Sequence, residues 1–187
     1  MQPIFQNTGI VGTGAMGRGI AQMAAQAGSH VWLFDAQPGA AQAARVALHV
    51  TWQTLVTRNK MAPEEMQACV DRLKLASALS DLSACELVIE AIVERLDVKQ
   101  RLFAELENIV EPEAVLATNT SSLSVTAIAA PLKRPAQLAG FHFFNPVPLM
   151  RVVEVIAGLK TSASVCQRLT AFARQFGHTP VTAQDTP

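Results

Sequence analysis

His142 and Glu154 lie in the run His142-Phe143-Phe144-Asn145-Pro146-Val147-Pro148-Leu149-Met150-Arg151-Val152-Val153-Glu154-Val155-Ile156 and offer a base with a carboxylate partner. Oxidising a secondary alcohol by hydride transfer needs a group to take the hydroxyl proton, and an imidazole of ordinary pKa ~6.5 does this near neutrality. His142 is expected to end an apolar strand, at the carboxyl edge where open α/β sheets bind ligands. Val152, Val153, Val155 and Ile156 make the strand of Glu154 apolar on both faces, so its carboxylate is expected to be partly buried and to need a partner. A Glu bonded to the imidazole would fix its tautomer and stabilise the imidazolium formed when the proton arrives. Residue types alone leave this pairing balanced against a structural histidine and a Glu154–Arg151 pair.

A polar turn, Thr118-Asn119-Thr120-Ser121-Ser122-Leu123-Ser124, follows the apolar run Val115-Leu116-Ala117. Ser122 or Ser124 suits the cap of the next helix, whereas Asn119 and Ser121, earlier in the turn, are freer to reach a ligand.

Near the chain start, Gly12-Thr13-Gly14-Ala15-Met16-Gly17 stands between a short apolar strand and an apolar-periodic helix. In that setting the first glycine permits a tight turn, the second lets a pyrophosphate approach the backbone, and the third lets helix and strand pack closely; Ala15 and Met16 complete the cradle at the helix N-terminus. The next strand, Val31-Trp32-Leu33-Phe34, ends in Asp35, 18 positions beyond Gly17, where adenosine ribose hydroxyls would be bound. That carboxylate repels a 2′-phosphate, and Ala36-Gln37-Pro38 provide no arginine to accept one. The expected cofactor is NAD. An ordinary βα turn with a solvated Asp35 is the alternative.

The elements that must position these residues follow from length and pattern. With 187 residues, 50% hydrophobic and 16% charged, the chain can bury one sizeable core and is read as a single unit spanning residues 1–187. Short apolar runs alternate with helical-period segments, which predicts an α/β, Rossmann-like fold: a mostly parallel sheet with helices on both faces. Strands are expected at Thr8–Val11, His30–Asp35, Leu73–Ala76, Glu86–Ala91, Ala114–Thr118, Leu138–Phe141, Val152–Ala157 and Thr179–Thr182. Helices are expected near Met16–Ala27, Gly39–Lys60, Pro63–Asp71, Arg95–Ile109, Ser124–Ala130 and Ser162–Phe176.

Fifteen basic against fifteen acidic residues lack the excess that nucleic-acid binding needs. No apolar stretch approaches the ~20 residues of a membrane span. Cys69, Cys85 and Cys166 have no metal-ligand spacing and read as small core residues in a reducing compartment, and no metal is expected. No basic residue precedes Arg18 and the first strand is expected to start near Thr8, which leaves no room for a leader, so a cytoplasmic chain is expected.

In combination these motifs, with Val88-Ile89-Glu90-Ala91-Ile92-Val93-Glu94, Asn119-Thr120-Ser121-Ser122 and His142-Phe143-Phe144-Asn145-Pro146 followed by Val153-Glu154-Val155, resemble the NAD-binding domain of L-3-hydroxyacyl-CoA dehydrogenases from Ile10 to Pro187. The resemblance implies oxidation of 3-hydroxyacyl-CoA to 3-oxoacyl-CoA, as in fatty acid beta-oxidation, with 3-hydroxybutyryl-CoA and 3-hydroxyadipyl-CoA as candidate substrates. It implies His142 as general base, Glu154 as its orienting carboxylate, and Ser121 bonded to the substrate's 3-oxygen. Asp35, Glu94, Lys99 and Asn145 match positions that contact NAD in the family; the alternative from the residues alone is Lys99 as a solvated helix charge and Glu94 as a first-turn residue favoured by the helix dipole. The family continues past a segment like Asp185-Thr186-Pro187 with an asparagine that completes the site and a helical domain that dimerises. From this chain alone NAD binding with little turnover is therefore expected. Two other readings are a non-catalytic NAD(H)-sensing module and a 3-hydroxyacid dehydrogenase of the 6-phosphogluconate type, which uses a lysine base on a later helix.

Overall fold

A computed structural model describes residues 2–185. The first half of the chain runs β1 (Asn7–Val11), α1 (Ala15–Gln26), β2 (His30–Phe34), α2 (Ala40–Thr57), α3 (Pro63–Arg72), β3 (Leu73–Leu75) and β4 (Leu87–Glu90). The second half runs α4 (Leu96–Ile109), β5 (Val115–Thr118), α5 (Val125–Ala129), β6 (Leu138–Phe143), β7 (Val152–Ala157), α6 (Ala163–Gln175) and β8 (Thr179–Gln184). Every expected strand and helix is present, with ends displaced by a few residues. The expected end of the chain beyond Asp185, Thr186-Pro187, lies outside the described residues.

The eight strands form one sheet in the order β3-β2-β1-β4-β5-β6-β7-β8. Side-chain alternation at period 2 builds two cores. Ile10, Leu87, Ile89, Val115 and Ala117 face α1, α2, α3 and α6, whereas Val11, Val88 and Leu116 face α4 and α5. The chain winds outward through β2 and β3 and returns to place β4 on the other side of β1. The crevice for a ligand therefore opens above the carboxyl ends of β1 and β4, where the winding reverses.

Strands β1 to β6 are parallel, but β7 runs antiparallel to β6 and β8 parallel to β7. No helix separates β6 from β7, so the chain has no crossover with which to return to the same edge, and β7 must run back alongside. Their register pairs Gly140 with Ile156 and His142 with Glu154. β6 extends two residues past its expected end, because Phe143 continues that pairing opposite Val153.

Cys69 and Cys85 are buried and Cys166 packs against the first core, all as free thiols, and burial pushes the Cys85 thiol up to about 12. No described helix is long and apolar enough to cross a membrane. His30 and His49 are exposed, and His178 is a buried structural histidine with Nε2 3.0 Å from the Val147 carbonyl. Phe172 on α6 anchors the first core, with ring centroids 5.1 Å from Phe5 and 4.5 Å from Phe176. Phe172→Ala is expected to lower folding stability by about 3–5 kcal/mol through transfer and cavity costs, read as a lower urea midpoint at unchanged slope.

Candidate active site

The site is built from the carboxyl ends of β1, β2, β4, β5 and β6 and the start of β7. Because β6 and β7 are antiparallel, His142 and Glu154 stand directly opposite each other, and the imidazole Nδ1 lies 2.7 Å from Glu154 Oε2. The His142 side chain is 16% exposed and that of Glu154 32% exposed, as the apolar strand around Glu154 predicts. Arg151 is not its partner among the described ion pairs. With Nδ1 held by the carboxylate, Nε2 is the nitrogen left for a ligand. His142 also packs against Phe144, ring centroids 4.7 Å apart.

A cavity of about 350 Å³ gathers His142 with Met16, Glu94, Asn119, Ser121 and Asn145. Asn119 is braced: its Oδ1 accepts from the Phe143 amide at 2.9 Å, which joins the end of β5 to the strand that carries His142. Ser124 is the helix cap, its Oγ accepting from the Ala127 amide, while Ser122 donates to Glu94 instead. Glu94 lies just before α4, with one oxygen towards Lys99 of that helix and the other towards the polar turn after β5. Its Oε1 accepts from the Thr120 hydroxyl at 2.5 Å and from the Ser121 and Ser122 amides at 2.9 and 3.1 Å. Burial works against its charge, but the Thr120 hydroxyl, the Lys99 ammonium and the two amides outweigh it and hold the carboxyl down at about 2.

Lys99 is neither a solvated helix charge nor on the wall of this cavity. It is 1% exposed, with Nζ 2.5 Å from Glu90 Oε1 and 3.2 Å from Glu94 Oε2, so it reaches the site through Glu94. Helical periodicity missed this, because α4 buries Lys99 along with Phe103 and Leu106. Glu90, Thr118 and Thr120 were also missed, although a glutamate closing the apolar run Leu87-Val88-Ile89 is the same signal that marked Glu154.

A second cleft, about 760 Å³, opens beside the first and shares Ala91 and Ile92 with it. Gly12, Gly14 and Asp35 line it, with Phe34, Ile92, Val98 and Leu102 as apolar walls. Gly12 has φ +92°, and a Cβ there would lie 2.6 Å from the Ala91 carbonyl oxygen. A Cβ on Gly17 would lie 1.8 Å from the Gly12 carbonyl oxygen, so α1 approaches β1 as closely as backbone allows. Gly14 has open space where its Cβ would be, and α1 begins there with neither a side-chain cap nor an acid in its first turn. Its free amides, with Ala15 exposed and Met16 half-buried on that turn, suit a pyrophosphate. Asp35 Oδ2 accepts from the Thr13 amide and hydroxyl at 2.7 and 2.9 Å, and Oδ1 from the Gln37 amide at 2.9 Å. Burial opposes the charge, but these donors keep Asp35 below the usual carboxylate range. Free amides at a helix N-terminus, a largely apolar cleft beside them and an ionised carboxylate at the end of β2 together fit a dinucleotide. Among the described residues no group of three His, Cys, Asp or Glu side chains is arranged to hold a metal.

Because Glu94's carboxyl is lowered from 4.5 to about 2, its contribution to stability is fully present above pH 4.5 and is lost as pH falls towards 2. After discounting for solvent at a side chain 36% exposed, the parent is expected to exceed Glu94→Gln by about 1 kcal/mol at neutral pH, a gap that urea titrations should see close on acidification.

Comparison with known proteins agrees with this geometry. Residues 7–186 match the family described as 3-hydroxyacyl-CoA dehydrogenase, NAD binding domain. The chain is 43% identical to a 3-hydroxyadipyl-CoA dehydrogenase of Escherichia coli over 97% of its own length and 38% of that protein. It is 41% identical to a probable 3-hydroxybutyryl-CoA dehydrogenase of Deinococcus radiodurans over 96% of its length and 64% of the relative. Among solved structures, a 3-hydroxybutyryl-CoA dehydrogenase from E. coli superposes with TM-score 0.96 at 43% identity, covering 98% of this chain and 39% of that one. An (S)-3-hydroxybutyryl-CoA dehydrogenase from Ralstonia eutropha gives TM-score 0.94 at 36% identity over 98% and 65%. The chain thus spans from somewhat over a third to just under two thirds of the length of these relatives. Its glycine cradle, its sheet order and its match from residue 7 to residue 186 place this chain in the 3-hydroxyacyl-CoA dehydrogenase family, as an NAD-binding domain.

Proposed function

We propose that this chain is the cofactor-binding and base-bearing part of an enzyme that oxidises (S)-3-hydroxyacyl-CoA to 3-oxoacyl-CoA. The observation that carries the reading is the 2.7 Å contact between His142 Nδ1 and Glu154 Oε2, on the wall of a cavity that joins the dinucleotide cleft. NAD bound along the cradle supplies the acceptor for the hydride that leaves C3. His142 Nε2 takes the proton of the 3-hydroxyl, and Glu154, bonded at Nδ1, keeps the ring in the tautomer that presents Nε2 as acceptor and steadies the imidazolium. Ser121, exposed on the same wall, donates to the 3-oxygen as it becomes a carbonyl. Asn119 and Asn145 border the space between base and cofactor, and Asn119 does so while its side chain fixes the Phe143 backbone. Asp35, standing at the mouth of the ribose slot, favours NAD over its 2′-phosphorylated counterpart by charge repulsion.

The relatives' names span 3-hydroxybutyryl- and 3-hydroxyadipyl-CoA, and both remain substrates of this reading. Residues 1–187 act as one NAD-binding unit in it, with a further helical domain supplying an asparagine to the site and the contact that makes a homodimer. A sensor without chemistry has no use for a histidine on the cavity wall that is bonded from behind by a glutamate. The lysine-based mechanism does not suit Lys99, which is held between two carboxylates.

In the full-length protein, His142→Gln is expected to lower kcat roughly 10²- to 10⁴-fold, with Kd for NAD measured by calorimetry within about threefold of the parent. Glu154→Gln should give an intermediate loss. Undiminished NADH formation by His142→Gln across a panel of 3-hydroxyacyl-CoA chain lengths would sink the assignment.

A further inference from the structure

Glu90 closes β4 at 0% exposure, and the chemistry above makes no use of it. A carboxylate so deep in the sheet is costly unless each oxygen is met, and both are. Oε1 faces Lys99 Nζ at 2.5 Å and accepts from the Ile92 amide at 2.7 Å, while Oε2 accepts from the Thr118 hydroxyl at 2.8 Å. These partners lead to one place by two routes. Along the first, Lys99 Nζ lies 3.2 Å from Glu94 Oε2, and Glu94 Oε1 collects the Thr120 hydroxyl and the Ser121 and Ser122 amides. Along the second, the Thr118 hydroxyl that donates to Glu90 accepts from the Thr120 amide at 3.2 Å. The Thr120–Ser122 turn is therefore gripped from both sides by groups that converge on one buried carboxylate.

We propose that Glu90 is a positioning residue: through the arms Lys99–Glu94 and Thr118–Thr120 it brackets the Thr120–Ser122 turn and keeps the Ser121 hydroxyl on the cavity wall that it shares with His142 and Asn145. Its consequence for turnover rests on the dehydrogenase reading; the bracket itself does not. The bracket needs an acceptor at both oxygens. A glutamine at this position offers one acceptor and one donor, so one arm loses its acceptor even though size and shape are kept. A buried ion pair adds little net stability over an apolar pair, but an apolar pair cannot aim the Glu94 carboxylate at three donors.

The test uses Glu90→Gln and, because that change leaves Lys99 with one carboxylate, the uncharged double variant Glu90→Gln/Lys99→Met, both in the full-length protein. The first readout is amide hydrogen exchange without substrate. Ser121 and Ser122 are expected to exchange at least about tenfold faster than in the parent, with Ile10 and Leu33 in the central strands unchanged. The second, read on Glu90→Gln alone, is a kinetic split: kcat with (S)-3-hydroxybutyryl-CoA or (S)-3-hydroxyadipyl-CoA falls about tenfold or more while Kd for NAD stays within about threefold. Parent-like exchange at Ser121 and Ser122 in a folded variant overturns the bracket. So does a loss of protection at Ile10 and Leu33 in both variants, since Glu90 would then serve core stability alone. A parent protein that turns over neither substrate sinks the dehydrogenase reading instead, and the exchange measurement still decides the bracket.

Discussion

A carboxylate withdrawn from water costs several kcal/mol unless a cation or hydrogen-bond donors replace its hydration, and along the carboxyl edge of this sheet Glu90 is fully withdrawn while Asp35, Glu94 and Glu154 are partly so. Asp35 is met by the Thr13 amide and hydroxyl, Glu90 by Lys99, Ile92 and Thr118, Glu94 by the Thr120 hydroxyl and the following amides, and Glu154 by His142. Apart from the Ile92 amide, each partner belongs to another segment of the chain. Satisfying the charges therefore also fixes the glycine loop, the polar turn and the imidazole relative to one another.

Sheet topology decides which of these segments can meet. The reversal of winding at β1 and β4 leaves no connection over their carboxyl ends, and the glycine loop and the Ala91–Ile92 segment frame the opening. The reversal of direction at β7 does different work. In an antiparallel pair, residues directly opposite each other bring their side chains to one face at close range, so a carboxylate on β7 lands beside a histidine near the end of β6. A parallel β7 would have carried Glu154 to a different register.

The two cavities divide the labour between binding and chemistry. The larger cleft is walled mostly by apolar side chains, with Asp35, Arg101 and Glu105 as its charged members, and the smaller concentrates His142, Ser121, Asn119, Asn145 and Glu94. Ala91 and Ile92 form a floor common to both, which lets a long ligand lie in the cleft and present one end to the imidazole. Elsewhere Asp185 plays the same charge-satisfying part, bonding Ser124, Val125 and Thr126 at the start of α5, so that the end of β8 is tied to the segment after the polar turn.

Periodicity made the eight strands and six helices legible, because a period of 2 or 3.6 is written locally in the apolar residues. The glycine cradle was equally legible, since Gly12 and Gly17 stand where no side chain fits. Glu154 announced its need for a partner by lying among valines, and His142 was the nearest base in sequence. Strand order, the antiparallel run of β7 and the burial of Lys99 were not legible. They depend on which distant segments pack together, and α4 treats the long aliphatic stem of Lys99 as core while carrying its ammonium to Glu90. The sequence by itself determined the residue types and the local elements that bear them. Only the tertiary structure decided the pairings, because a buried charge chooses its partner by proximity in space.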